Sequence, residues 1–303
     1  MPVALVFPGQ GSQRHGMLDA LPQPESSGRL LDAAEALSDL ELRSVAAFGT
    51  PGQLADTRAA QPLLYLADWA WGAEALAAGI IPAAVAGHSL GELAALAIAG
   101  VFSVEAGLEL VVERSRLMAA RAAEVPGGMS AVLGLDGSEV AEAITGIEGV
   151  WVANDNSPGQ IVITGTPDGL SDGRAAVERA GARRVLPLQV AGPFHSPLMA
   201  PASEAFAAVL GDAAFKDAAI PVYQNAGPTP ERDAEALRER LMAQIVSPVR
   251  WTETMLGMRD AGITTLLECG PGSVLTNLAR RVDGLHAHAA EEAGIETTIE
   301  EGS

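Results

Sequence analysis

The sequence holds a single cysteine, Cys269, in 303 residues. One thiol excludes a disulfide scaffold and a cysteine-rich metal site. Aromatic residues are scarce at 4%, so a core must be built mainly from Ala, Val and Leu. Positive charge is scarce too: 19 Lys plus Arg stand against 38 Asp plus Glu, a formal net charge of −19. Such a surface repels a phosphate backbone and argues against general nucleic-acid binding. No apolar run reaches the length of a membrane span, and the most apolar stretch, Ile80 to Val85, is short and contains Pro82. The N-terminal segment lacks the basic head and cleavage site of a signal peptide, so we expect a soluble, cytoplasmic protein. Hydrophobic residues nonetheless make up 48% and charged residues 19%. That balance excludes intrinsic disorder and allows one large domain, or two if one is small.

Val3 to Phe7 is an apolar run halted by Pro8-Gly9, which reads as a buried strand entering a loop. Gly28 to Phe48 has a helical pattern, and a helix is expected from Pro62 to Ala78 with Pro62 in its first turn. Ala83 to Gly87 reads as a second short strand, followed at once by an Ala/Leu-rich helix to about Gly100. Ser103 can cap a further helix to about Ala123, with Glu105 in its first turn. Beyond Gly127-Gly128 short elements alternate: strand 130–135, helix 138–144, strands 150–154 and 160–164, helix 167–180, strand 183–190. That βαββαβ order is the signature of a ferredoxin-like unit. An apolar run at Thr264 to Glu268 then precedes Gly270-Pro271-Gly272. Residues 289–303 carry five glutamates, Glu291, Glu292, Glu296, Glu300 and Glu301, and read as a solvated acidic tail.

Gly87-His88-Ser89-Leu90-Gly91 fits G-x-S-x-G with a strand before it and a helix after it. A serine on so sharp a turn needs small neighbours, because side chains there would meet the crossing backbone. The helix N-terminus sets N–H groups and a positive dipole end beside the hydroxyl, and the Leu90 amide is placed to meet a developing oxyanion. A nucleophilic serine needs a base. His286 and His288 border the acidic tail and read as surface residues. His88 adjoins the serine and is expected to pack beneath the turn. His195, in the loop after the last strand of the small unit, and His15, in the glycine-rich N-terminal loop, remain.

Several motifs point in one direction. Phe7-Pro8-Gly9-Gln10-Gly11-Ser12-Gln13 and Gly87-His88-Ser89-Leu90-Gly91-Glu92 resemble the malonyl-CoA:acyl carrier protein transacylases and the related acyltransferase domains of polyketide and fatty acid synthases. Gln61-Pro62, Arg114 to Met118, Asn156 to Gln160, Phe194 to Met199, Ser247-Pro248-Val249 and Gly270-Pro271-Gly272 follow in the same order. The resemblance covers about residues 3 to 280. It implies an α/β fold: an α/β-hydrolase-like core with a parallel sheet, residues 1–124 and 193–288, carrying an inserted ferredoxin-like domain, residues 125–192. The site would lie between them, with the acidic tail, 289–303, outside.

The resemblance also implies roles. Ser89 would be the nucleophile and His195 its base, oriented by the Ser247 backbone carbonyl in place of a carboxylate. The N–H groups of Gln10 and Leu90 would form the oxyanion hole. Arg114 would grip the free carboxylate of a malonyl group, with Arg116 two residues away as the competing register. Gln61, Gln160 and Phe194 would line the acyl pocket; the Phe194 ring favours malonyl over a group with an α-methyl, by roughly 1–3 kcal/mol. Ala119 departs from the glutamine common after Met118. The implied reaction moves a malonyl group from malonyl-CoA through a malonyl-serine to the phosphopantetheine thiol of an acyl carrier protein, with no metal and no further cofactor. Carrier proteins are usually acidic, so a basic docking patch is needed; Arg183-Arg184 and Arg280-Arg281 are the candidates. A polyketide-synthase acyltransferase and the transacylase component of a malonate decarboxylase, which Met17 to Pro22 resembles, share this chemistry. A serine hydrolase fits worse, since no carboxylate motif completes a triad and Arg114 would lack a purpose. A non-catalytic carrier-binding protein would not need Ser89 and His195.

Overall fold

Alternate residues of the first strand, β1 (Val3–Phe7), feed two different cores. Val3, Leu5 and Phe7 join one cluster, with Leu63, Leu93 and Phe206. Ala4 and Val6 join the other, with Trp251, Met255 and Leu278. A strand covered on both faces reads as a continuous apolar run, which is why VALVF shows no alternation. The structure, a computed structural model, describes residues 2–19 and 21–295.

Nine further strands complete two sheets: β2 (Ala84–Gly87), β3 (Gly128–Leu133), β4 (Val150–Ser157), β5 (Gln160–Gly165), β6 (Arg184–Pro187), β7 (Val222–Tyr223), β8 (Val249–Arg250), β9 (Thr265–Glu268) and β10 (His286–Ala289). The larger layer is a parallel five-stranded sheet in the order β10-β9-β1-β2-β7. Parallel strands end together, so the loops after β1, β2, β7 and β9 emerge along one edge, the usual place for a site in an open α/β sheet. The second sheet runs β6-β3-β5-β4-β8. Its first four strands are antiparallel and, with helices Gly137–Ala143 and Pro167–Arg179, follow the βαββαβ order. The fifth, β8, comes from the larger part of the chain and pairs in parallel with Asn154 and Asp155 of β4. Ile161 and Ile163 of β5 face that unit's own core, whereas Val162 faces the larger one. One face of the small sheet is therefore turned toward the parallel layer.

The structure differs from the sequence expectations at four places. The helix expected from Pro62 begins at Thr57, because Asp56 caps it by accepting from the Arg58 N–H, and Pro62 lies inside it. The helical stretch 28–48 is two helices, Pro24–Ser38 and Leu42–Phe48, parted at Asp39, whose φ of 54° ends the first. His286 and His288 belong to β10, an edge strand too short and too alanine-rich to read. Residues 289–295 of the expected tail pack: Glu291 pairs with Arg14 and accepts from the Gly272 N–H at 2.7 Å. Glu296, Glu300 and Glu301 lie outside the described residues. Among the described residues, no helix is long and apolar enough to cross a membrane.

Candidate active site

The turn after β2 is tight enough to dictate its sequence. A methyl group on Gly87 would lie 1.9 Å from the Gly91 carbonyl carbon, and one on Gly91 would lie 2.1 Å from the Phe7 carbonyl oxygen. A methyl on Gly9 would meet the His88 carbonyl at 2.4 Å, which brings the Gln10 loop against the same turn. Between these glycines Ser89 sits in the left-handed region at φ 51°, a conformation that costs a non-glycine residue about 1–3 kcal/mol. The helix Gly91–Ile98 starts directly beyond it. His88 turns the other way, as expected: its Nε2 lies 2.8 Å from Asn156 Oδ1 and its ring packs edge-on against Trp251.

The Ser89 hydroxyl lies 2.8 Å from His195 Nε2. His195 Nδ1 faces two backbone carbonyls, Ser247 O at 3.1 Å and Gln244 O at 3.2 Å. Carbonyls only accept, so the hydrogen-bond network assigns the proton to Nδ1 and leaves the Nε2 lone pair facing the serine. Arg114 Nη2 reaches the same hydroxyl oxygen at 3.3 Å. The oxygen therefore accepts from Arg114 while donating to His195, the orientation that deprotonation requires. Burial pushes the His195 pKa down to about 3, with the Arg114 charge adding to the effect. The imidazole is neutral across the physiological range and available as a base.

Arg114 is fully buried, and among the described residues it makes no ion pair. Its Nη1 donates to Gln61 Oε1 and its Nη2 to Gln244 Oε1, both at 2.8 Å, while its Nε has no partner. Arg116, two residues on, is exposed and tied to Glu113, whereas Arg114 is the arginine that reaches Ser89. In front of this network lies a cavity of about 220 Å³ lined by Gln10, Gln61, Ser89, Gln160, Phe194 and His195 among others. Gln160, Val162, Asn154 and Asn156 of the small sheet also line it, so the space lies between the two sheets.

Residues 4–299 match the model of the acyl transferase domain. The chain belongs to that family. It is 40% identical over 282 residues to the malonyl CoA-acyl carrier protein transacylase of Synechocystis sp., covering 93% of this chain and 94% of that one. The transacylase of Salmonella typhimurium is 40% identical over 296 residues, 95% of this chain and 96% of the relative. The crystal structure of the Synechocystis enzyme superposes with a TM-score of 0.89 at 37% identity, covering 98% of this chain and all of that one. A type II polyketide synthase acyl carrier protein in complex with its malonyl-transacylase gives 0.93 at 36% identity, with 100% of both chains covered.

The structure brings most of the residues named from the sequence into one place and adds others that brace them. Ser89, His195, Arg114, Gln61, Gln160, Phe194, Gln10, Leu90 and Ser247 all come together at this cavity or directly behind it. His15 does not; its ring bonds the Gly49 carbonyl at 2.7 Å on the exposed side of the loop. Gln244 was missed. Its side chain links Arg114 to the Ser89 carbonyl oxygen, which accepts from Nε2 at 2.9 Å, and its own carbonyl shares the His195 proton with Ser247. Asn225, Gln224 and Glu92 were missed as well, although Glu92 closes the Gly87–Glu92 motif. No local pattern marks Asn225: it follows the two-residue strand β7 and reaches Ser89 only because β7 lies beside β2.

Proposed function

We propose that this protein transfers a malonyl group from malonyl-CoA to the phosphopantetheine thiol of an acyl carrier protein, in two half-reactions through an ester on Ser89. The observation that carries this reading is Arg114: a buried guanidinium with an unpartnered Nε, held by two neutral amides, 3.3 Å from the nucleophile. A buried cation that forms no ion pair, and that the buried Glu92 carboxylate stabilises only from a distance, is costly unless a substrate supplies a direct partner. A planar fork at that distance suits an acyl group that ends in a carboxylate.

In the first half-reaction His195 Nε2 takes the proton of Ser89 as Oγ bonds to the thioester carbonyl carbon. The N–H groups of Gln10 and Leu90, which have no protein acceptor among the described residues, receive the developing oxyanion. The carbon–sulfur bond breaks, and coenzyme A leaves with the proton from His195. In the second, His195 deprotonates the carrier thiol, the thiolate attacks the ester, and Ser89 recovers its proton. The two carbonyls behind Nδ1 hold the ring in one tautomer throughout and take the place of a triad carboxylate. Gln61 sets the Arg114 fork, while Gln160 and Phe194 bound the acyl space. Written this way, the reaction consumes no metal or redox cofactor. The reading also carries a cytoplasmic location, in keeping with a lone, buried thiol.

The test is intact mass after mixing with malonyl-CoA in the absence of carrier. Wild type should gain one malonyl group, Ser89→Ala none, and Arg114→Ala should lose its preference for malonyl over acetyl. Free malonate without an adduct would favour a serine hydrolase and overturn the transfer reading.

A further inference from the structure

We infer that Asn225 is a positioning residue for the nucleophile, held in place by the buried carboxylate of Glu92. The inference rests on Ser89 being the nucleophile, and not on which acyl group Ser89 carries. A left-handed serine stays in place only where its surroundings over-determine it. Two backbone groups of the turn that leads into it, the Gly87 carbonyl and the Ser89 N–H on either side of His88, are both taken by one side chain. Asn225 Oδ1 accepts from the Ser89 N–H at 2.7 Å, and Asn225 Nδ2 donates to Gly87 O at 2.6 Å. The amide thus spans the turn as a clamp, with donor and acceptor each matched. It also consumes the Ser89 N–H, so that amide is withdrawn from the oxyanion site and the Gln10 and Leu90 groups are left for it.

Asn225 itself needs a fixed frame, since it lies two residues beyond a two-residue strand. Glu92 supplies that frame from the first turn of the helix that the nucleophile turn begins. One carboxylate oxygen accepts from the Asn225 N–H at 2.7 Å, and the other accepts from Gln224 Nε2 at 3.1 Å. All three residues are buried, where hydrogen bonds to a carboxylate are strong and an unmatched partner is expensive. Residue 92 therefore closes a loop that begins at residue 89: Ser89 to Asn225 to Glu92, three positions further along the same helix. Gln244 Nε2 holds the Ser89 carbonyl from the opposite side, so both peptide groups of Ser89 are tethered by side chains from distant segments.

A fluorophosphonate probe isolates this positioning from malonyl chemistry. Ser89 Oγ bonds to phosphorus, fluoride leaves, and the serine proton departs through His195. Asn225→Ala should label about tenfold to a hundredfold more slowly, the scale on which small misplacements of a reacting atom act. Asn225→Asp keeps the acceptor for Ser89 but sets an oxygen against the Gly87 carbonyl, and it should slow labelling comparably in a near-isosteric protein. Glu92→Gln, which retains an acceptor for the Asn225 N–H, should label within a few-fold of wild type, whereas Glu92→Ala should fall with Asn225→Ala. In malonyl-CoA acylation the loss should appear in the maximal rate with the half-saturating concentration unchanged, because Arg114 is held separately by Gln61 and Gln244. Wild-type labelling by folded Asn225→Asp would overturn the clamp, and wild-type labelling by folded Glu92→Ala would overturn the part given to Glu92. Normal labelling of wild type without malonyl transfer would sink the proposed function and leave this inference standing.

Discussion

Ser89 and His195 share a conformation as well as a hydrogen bond. Their φ angles are 51° and 55°, both left-handed, and their side chains meet at 2.8 Å. Two left-handed residues thus hold the hydroxyl and the imidazole that we propose as nucleophile and base against each other, and neither can relax without disturbing the contact. Removing the base should therefore be severe. We expect His195→Ala to retain its fold and to lose acylation on the order of 10³-fold or more. Quenched-flow mass spectrometry of the malonyl-serine would measure it, and a loss smaller than tenfold would assign the base elsewhere.

Arg114 trades stability for selectivity. Among the described residues Arg114 makes no ion pair, the Glu92 charge acts on it without direct contact, and replacing buried charges with packed apolar groups is often neutral or stabilising. Arg114→Met should raise the melting temperature of the free protein, yet reduce selectivity for malonyl over acetyl by about 2 kcal/mol or more, roughly 30-fold. Scanning calorimetry beside competition between the two thioesters would show it. A variant that is both less stable and equally selective would contradict the assignment.

The same arginine sets a pH dependence. Burial first, then the Arg114 charge, lowers the His195 pKa to about 3. The acid limb of acylation should lie far below the ordinary histidine value near 6.5 and should move up in Arg114→Ala, where the repelling charge is gone. Stability follows with a definite sign. Between about pH 6.5 and 3 the unfolded state binds the proton that folded His195 refuses, so this contribution is lost as pH falls through that window. Glu92 acts oppositely: burial raises its pKa to about 7, so its contribution is lost as pH rises from about 4.5 to 7. Glu92→Gln should accordingly gain stability over wild type as pH rises through that range. Denaturant titrations at pH 5 and 8 would check it, and a constant difference would refute it.

Legibility in the sequence followed how local the cause was. Ser89 was visible because its turn forces glycines at 87 and 91 by direct contact, and Ser103 because a cap acts within three residues. The βαββαβ unit was visible because short strand-like and helix-like segments follow one another closely along it. Asn225 and Gln244 were invisible for the opposite reason. They act across more than 100 residues, by strand neighbourhood in one case and by a short 3₁₀ turn in the other. Pro62 misled the helix boundary because proline favours first turns, while the Asp56 cap, six residues earlier, was decisive. That His195, and not His15, meets Ser89 is visible only in the fold, because the two residues are 106 apart in the chain.

The remaining prediction concerns how a chain of net charge −19 receives an acidic carrier. Arg58 and Arg116 are already neutralised by Asp56 and Glu113. Arg183, Arg184, Arg280 and Arg281 are exposed, and among the described residues none of them forms an ion pair. Each pair is tied to the cavity mouth by its own element. Leu188, partly exposed on the cavity wall, follows Arg184 by four residues, at most about 14 Å of extended chain. Val274, exposed on the same wall, opens the helix that ends just before Arg280, about 9 Å away along its axis. Two cationic points flanking an apolar rim suit an acidic protein that delivers a thiol on a flexible arm. Reversing both pairs to Glu should therefore raise the KM for carrier about tenfold or more and leave acylation by malonyl-CoA unchanged, because rim charges act chiefly on encounter. The wild-type carrier KM should rise with ionic strength and the reversed protein's should not, since screening weakens only an attraction that exists. Carrier kinetics indifferent to both the reversal and the salt would place docking on another face.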